Sequence, residues 1–599
     1  MILMVRWSRE RWSNWAGDVV VEHPERRYHP ACLADLLSIV RDAGREQPSR
    51  RLRACGSHWS FSDIAVSPDW FIETRDLRAT LYDVIPAALT DRARHHLLQQ
   101  DGALEIYSYY HVEAGITVRD LNLRLDRQPL PAADRRWAAM PVDAIPDQWP
   151  GAGKRWALPT MGGAAGQTLA GAISTGTHGG DHDLPPMADM VVAIHLIGPD
   201  GRQWWIERDS PITDPHRLHT ALPGVNHRAS TELFNAVLVS AGRMGIIYSL
   251  VLRVVEQFWL EQTTTASHWS TEAPGLRPPF HAFTRIRPGQ DEATPTRFLE
   301  TVVLPYAGIN GDHTCYLTAR WTAAAGDGDR RPKSVGFFTL LCRHSTITPI
   351  VLILIGATVL AIGVSWLVPG VGAVLVTAEV LVLLGLIALL IFARMSLGDL
   401  VARACNLANR LGRPWLVRRA IEAIIRRARP SVTTSDVGYE MMDLAESGGE
   451  CYRADSMEAF FDADAGQHVD FLEQDLFPAF ERSARAGRTV AGYVSLRFTR
   501  RSSALLAMQQ WDHTCAVEVA LLKGIDGNAE VLHALEVAAL ARGGTIHWGQ
   551  RNTTDLAAVA ASYPGLQRWR ACLAEIIGDS DPATFDNAFC ATRGLEPHP

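Results

Sequence analysis

Nine cysteines (32, 55, 315, 342, 405, 451, 515, 572 and 590) form no Cys-x-x-Cys pair and no metal-type spacing. That excludes a zinc ribbon or a disulfide scaffold and fits thiols used as small apolar residues in a reducing compartment. No repeat period and no low-complexity tract is present, which argues against a solenoid or a disordered chain. There is no excess of basic residues either: the formal net charge is −7, so nothing global points to nucleic acid. The opening stretch MILMVRWSRERW is charged too soon to be expected as a secretory signal. Against these absences, 47% apolar and 21% charged residues across 599 positions describe a folded chain of two or more domains.

Glycine is present in organised runs. Leu158–Gly179 reads LPTMGGAAGQTLAGAISTGTHG, with Thr168, Ser174, Thr175 and Thr177 among the glycines. Backbone amides and hydroxyls so arranged can line an anionic ligand; a flexible surface loop has a similar composition. Upstream, Arg51–Cys55 reads as a short strand that opens into Gly56-Ser57-His58-Trp59-Ser60-Phe61-Ser62, either a diphosphate cradle or a hairpin turn. Downstream, Ala241-Gly242-Arg243-Met244-Gly245 leads into a strand over Ile246–Val255. Helical periodicity covers Pro30–Ala43 and the region near Val118–Leu125, and Met190–Ile197 and Gln203–Glu207 alternate around a Pro199-Asp200-Gly201 turn.

The order Trp15-Ala16-Gly17, RxxGSxxSFSDIA from Arg53, the Leu158–Gly179 stretch, a VxLxxPDG-like hairpin and Gly242–Ile246 resembles one flavoprotein superfamily. It is that of vanillyl-alcohol oxidase and p-cresol methylhydroxylase, with its PCMH-type FAD-binding domain. Gly543-Gly544-Thr545-Ile546-His547-Trp548-Gly549-Gln550, Tyr563-Pro564 and Asp581-Pro582…Phe585 are similar to signatures of its aldonolactone and sugar-alcohol oxidase branch. The resemblance implies an α+β fold: a two-part FAD-binding domain and an antiparallel-sheet cap domain. The implied division is 1–257 for FAD, 258–335 and 431–540 for the cap, 336–430 for an insert, and 541–599 for a segment returning to the flavin.

It also implies residue roles. FAD contacts fall on Gly56, Ser57, His58, Trp59 and Ser60, on Gly166, Thr168, Gly171, Ala172, Ser174, Gly176, His178 and Gly179, and on Gly245 and Ile246. Many relatives tether the flavin through a histidine that aligns here with Trp59, so non-covalent FAD is expected, with a slip to His58 as the alternative. The cap strand of the branch carries Glu-x-Arg facing the flavin. In AGYVSLRF, Arg497 is kept and Ser495 stands where the glutamate would be; Gln550 replaces the lysine of the HWGK signature. Arg497, His547 and Gln550 are the catalytic candidates; His547 is the first choice for the base because imidazole titrates near neutrality, and a packed, hydrogen-bonded core histidine beside Trp548 is the alternative. Glu458 resembles a cap-domain acid of the branch but is expected as a solvated helix-cap residue. Reactivity toward dioxygen depends in the family on small residues beside the flavin, here among Gly171, Ala172 and Ile173.

From 347 to 393 the only charged side chain is Glu379. Pro369-Gly370 divides the run into arms 347–368 and 371–393, each of about 20 residues, enough to span a ~30 Å hydrocarbon core. A transmembrane hairpin is expected, with Arg330, Arg331, Lys333 and Arg343 before it and Arg394, Arg403, Arg410 and Arg413 after it. The positive-inside rule then puts the folded domains on the cytoplasmic side. Trp415–Arg429 reads as a basic amphipathic helix lying on an anionic membrane surface or docked on the cap; Glu379 receives no catalytic role. The expectation is a membrane-anchored FAD oxidoreductase acting on a sugar, lactone, polyol, sterol-like or lipid-linked alcohol, reoxidised by dioxygen or a membrane electron acceptor. The second reading is a membrane-tethered flavin-binding scaffold with little catalysis, motivated by Trp59, Ser495 and Gln550.

Overall fold

The computed structural model describes residues 5–81, 84–85, 87–93, 109–127, 155–324, a few positions between 358 and 384, 397–429, 431–443 and 453–597. Its fold is mixed α+β. Strands β1 (Trp7–Ser8), β2 (Arg26–Tyr28), β3 (Leu52–Cys55) and β4 (Trp70–Glu73) form a sheet of order β1-β2-β4-β3. Helix α1 (Leu33–Arg45) packs in the same cluster through Leu36, Ile39, Val40 and Ala43, the one apolar stripe its helical spacing provides.

A second sheet has the order β8-β7-β6-β9-β5, built from β5 (Tyr109–Glu113), β6 (Val191–Ile197), β7 (Gln203–Glu207), β8 (Asn226–Ala229) and β9 (Ile246–Arg253). The connection from β6 to β7 turns where the sequence places it, through Asp200 and Gly201 at φ 58° and 73°; glycine takes such φ at no steric cost and aspartate tolerates it. Helix α2 spans Val118–Arg127. The glycine-rich stretch is not loop throughout: Leu169–Thr175 forms the short helix α3, closed by Gly176 at φ 77°, the left-handed C-cap that glycine supplies.

The third sheet has eight strands, antiparallel throughout: β10 (Trp259–His268), β11 (Phe298–Val303), β12 (Thr314–Ala323), β13 (Thr433–Val437), β14 (Ala454–Asp462), β15 (Gly492–Arg500), β16 (His513–Leu522) and β17 (Thr545–Ile546). Their order is β13-β10-β12-β11-β15-β16-β14-β17. Period-2 alternation gives this sheet two different faces. Met457, Ala459 and Phe461 of β14, Val494, Leu496 and Phe498 of β15, and Val517, Val519 and Leu521 of β16 join one apolar cluster. The intervening positions, among them Glu458, Ser495, Arg497 and Glu518, belong to the opposite face, where Phe460 and Ala516 join the cluster of the glycine-bearing half of the chain. Glu458 is therefore corrected: it lies in a strand, not at a helix cap, and is 1% exposed rather than solvated.

The expected hairpin arms, 347–368 and 371–393, and Glu379 lie outside the described residues apart from a few positions, as does the 128–154 connection. Among the described residues no helix is long and apolar enough to cross a membrane. Beyond the apolar run, α4 (Leu397–Arg410) and α5 (Pro414–Ala428) follow. α5 packs on the third sheet's apolar cluster through Val417 and Ile421, and Arg418 pairs with Glu481 at 3.1 Å. Its Trp415, Leu416 and Ile424 remain exposed, so the helix is docked on one side and open on the other.

Candidate active site

The three glycine-bearing segments converge. A methyl placed on Gly56 would sit 2.0 Å from Thr168 Oγ1, and one on Gly166 would sit 2.5 Å from the Trp59 ring. These two loops thus meet at a distance that only glycine permits. The third segment joins them through Ala241 N–H, which donates to Ser174 O at 3.1 Å. Gly245, at φ 149°, opens β9 at Ile246, tight against Ile197 O. The C-terminal segment closes the group: Phe61 N–H donates to Gly549 O at 2.8 Å, Ser60 Oγ to the same oxygen at 3.0 Å, and Ser62 Oγ to Trp548 O at 2.9 Å.

Arg53 ties these pieces from below. Buried to 2% exposure, it donates to Gly242 O (3.1 Å), Phe585 O (3.0 Å), Ala241 O and Ile64 O (both 2.5 Å). A buried guanidinium among carbonyls orders several chain segments at once. The sequence signal was an arginine inside an otherwise apolar strand that opens into glycine.

Within the cofactor set the side chains point in different ways. His58, at φ 60°, turns onto β4, where its Nε2 lies 2.8 Å from Glu73 Oε2 and its ring lies against Trp12. Glu73 also holds Arg27 at 2.6 Å. Trp59 stacks on Trp15. Ala172 and Ile173 are buried in the core at 1% and 0% exposure, whereas Gly171 is exposed. Among the three residues considered for oxygen access, Gly171 is the one on the open side of α3.

Facing this junction is the polar side of the third sheet. Arg497 Nη2 donates to Glu458 Oε1 at 2.9 Å and to Glu518 Oε2 at 3.0 Å. Glu458 Oε1 also meets His178 Nε2 at 3.2 Å, while His178 Nδ1 faces Gly179 O at 2.8 Å. His547 Nε2 stands 4.0 Å from Glu458 Oε2, and His547 Nδ1 accepts from Gly549 N–H at 2.9 Å. Gln550 Nε2 donates to Glu518 Oε1 at 3.3 Å. Arg497, His547 and Gln550, named separately from sequence, are thus brought together with His178 around two carboxylates. On the adjoining strand, Glu300 accepts from Ser495 Oγ at 3.0 Å and pairs with Arg429 at 2.5 Å.

Burial opposes ionisation of Glu458, but His178, Arg497 and His547 outweigh it and hold its carboxyl well below the usual carboxylate range. Glu518 shifts the other way: burial raises it, Arg497 opposes the rise and the Glu458 charge adds to it. Burial pushes the His547 imidazole down to about 4, against the pull of Glu458. Two like charges sharing one cation account for the split between the carboxylates.

Glu300 and Glu518 went unnoticed in the sequence. Each is a lone acid in a strand of apolar neighbours, which alternation could have placed on the face shared with Arg497.

The residues present suit a polar anionic ligand. Among the described residues, Ser57 Oγ, Gln167 Oε1, Arg497 Nε and Gln550 Oε1 are buried without a hydrogen-bond partner. They belong to a larger set of unpartnered buried polar atoms among the described residues, and a bound polar ligand could answer these four. Ser57 and Gln167 sit on the glycine loops, Arg497 on the sheet that faces them and Gln550 on the C-terminal loop.

No family model matches the chain. By sequence it is similar to the D-arabinono-1,4-lactone oxidase of Kluyveromyces lactis, 22% identical over 260 residues, 43% of this chain and 37% of that protein. It is also similar to the L-gulonolactone oxidase of Mus musculus, 23% identical over 257 residues, 43% of each. The chain thus spans well under half the length of the curated relatives it matches. Among solved structures it is similar to cholesterol oxidase of Brevibacterium sterolicum, with a TM-score of 0.61 at 10% identity over 98% of this chain and 97% of that one. A solvent-stable cholesterol oxidase gives 0.61 at 12% identity over 98% of both. The chain has the fold of these proteins.

Proposed function

We propose that the chain is an FAD-dependent oxidoreductase that oxidises a hydroxyl-bearing carbon. The observation that carries this reading is the Glu458–Arg497–Glu518 cluster, set with His178 and His547 opposite three converging glycine segments. Gly56–Ser60, Gly166–Gly179 and Gly245–Ile246 would hold the FAD, whose flavin supplies the acceptor for a hydride. Arg497 keeps its charge in a dry site, and with Nε unpartnered it can stabilise an alkoxide or a reduced-flavin anion. The engagement of His58 with Glu73 supports non-covalent FAD; a yellow acid-precipitated protein would refute that point.

Exposed apolar side chains occur within the charge-poor run, at Leu381 and Leu384, and on the helices that follow it, at Leu407, Leu411, Trp415 and Ile424. Arg394, Arg403, Arg410 and Arg413 accompany them in sequence. This supports a membrane hairpin at 347–393 with the folded domains on the cytoplasmic side. A sterol-like or lipid-linked alcohol is then as fitting as a soluble sugar or lactone, and the reoxidant is dioxygen or a membrane acceptor. Resistance of the protein to carbonate extraction from membranes tests the anchor.

Photoreduction followed by anaerobic mixing with lactones, polyols, sterols and polyprenyl-linked sugars tests the chemistry. Bleaching of the flavin by one of them is the expected result. A chain that photoreduces normally yet is bleached by none is the flavin-binding scaffold that Ser495 and Gln550 motivate.

A further inference from the structure

The oxidation needs a base for the hydroxyl proton, and the site holds three titratable groups with different access. The Glu458 side chain is buried, and its Oε1 is shared by His178 and Arg497. His547 accepts from Gly549 N–H through Nδ1; the neutral ring therefore carries its proton on Nε2, directed at Glu458, and has no lone pair to offer. Glu518 is 21% exposed against 12% for Arg497 and 5% for Glu300, whose charge Arg429 already answers.

Register explains why Glu518 stands there. On β16 it lies directly opposite Ser495 of β15 and Glu458 of β14. Ser495 is the position at which the carboxylate expected two residues before Arg497 is missing. Glu518 restores a carboxylate beside Arg497 from the neighbouring strand, one strand spacing away.

We propose that Glu518 is the catalytic base, a carboxylate held beside Arg497 from the neighbouring strand. The inference rests on the oxidoreductase reading. In the step, the O–H bond of the alcohol breaks and its proton passes to a Glu518 oxygen. The C–H electron pair would leave as hydride while the carbon becomes a carbonyl, a two-electron oxidation for which bound FAD would supply the acceptor.

The groups facing Glu518 are Ser456 and Glu458 from β14, Ser495 and Arg497 from β15, and Gln550 from the C-terminal loop, with Glu300 one strand further. One guanidinium serves two carboxylates, which keeps Glu518 readier to take a proton than Glu458.

The test compares Glu518→Gln, Glu518→Asp and His547→Gln in the full FAD-loaded chain. Flavin content and photoreduction should match the unaltered protein in the two Glu518 variants. With whichever alcohol of the panel bleaches the unaltered protein, Glu518→Gln should slow bleaching about 10²–10⁴-fold, and Glu518→Asp should recover part of the rate. The fall in rate on the acid side, where Glu518 is protonated, should vanish in Glu518→Gln. Independently of turnover, infrared spectra should show a protonated-carboxyl band titrating above the ordinary glutamate range, absent from Glu518→Gln and retained in His547→Gln. Bleaching by Glu518→Gln within about threefold of the unaltered rate, or a loss confined to His547→Gln, overturns the assignment and leaves the oxidoreductase reading intact. Failure of every alcohol to bleach the unaltered protein overturns both.

Discussion

Arg497 and Glu458 show how much one residue's neighbours decide. Glu458 is buried, ionised and shared between Arg497 and His178. Its neutral isostere would leave two cationic or donor groups facing an amide, and breaking such a buried pair costs about 3–5 kcal/mol. Glu458→Gln should therefore lower the denaturant midpoint strongly at pH 7. The sign of the pH effect is fixed: a carboxyl held below its unfolded pKa of about 4.3 adds stability above that pH and loses it as pH falls toward the folded value. The difference between the two proteins should shrink on acidification below about pH 4; a difference constant down to pH 3 would count against an ionised Glu458. Its sequence context, Asp455-Ser456-Met457-Glu458, gave no hint of this, because the partners His178 and Arg497 are 280 and 39 positions away.

At the scale of elements, the glycine loops and the cap sheet differ in how legible they were. The loops carry their constraint locally. Gly56 and Gly166 have neighbours, Thr168 and Trp59, that occupy the space of a side chain, so the composition itself marks a close approach. Gly56→Ala should push the first loop off Thr168 and cost most of the bound flavin, read as the ratio of flavin to protein absorbance, while the far-UV spectrum stays unchanged. The strands of the sheet were readable by alternation, but their order was not. Nothing local states that β15 lies between β11 and β16, and so neither Glu300 nor Glu518 was placed beside Arg497. Helix α5 joins the two problems: its amphipathic pattern allowed either lipid or protein contact, and the structure shows Val417 and Ile421 packed and Trp415 and Ile424 open. Its C-cap, Arg429, reaches Glu300 in the site sheet. Arg429→Ala should strip Glu300 of its counter-charge, destabilising the cap by about 3 kcal/mol, and Arg429→Lys should restore part of it; equal melting of all three proteins would rule out a structural role for the pair.

Across the whole molecule, buried histidines make the layers respond to acid together. His111 of β5 and His195 of β6 flank β9 in the second sheet, with burial pulling them to about 3 and about 4. His468 lies in the layer that covers the apolar face of the third sheet, and His547 lies at the cluster facing the glycine loops; burial pulls both to about 4. Each is neutral in the fold and becomes charged in the unfolded chain below about pH 6.5. The unfolded state therefore binds more protons between those limits, and stability rises with pH through the window. The apparent melting temperature should be level above about pH 6.5 and fall steeply toward pH 4, with release of flavin in the same interval because His547 and its loop close the glycine junction. His111→Gln and His195→Gln, which remove two of the protons taken up, should flatten the slope without moving the flavin-loss step as far as His547→Gln does. A melting temperature that stays level from pH 7 to pH 4 would show that these rings are not held neutral.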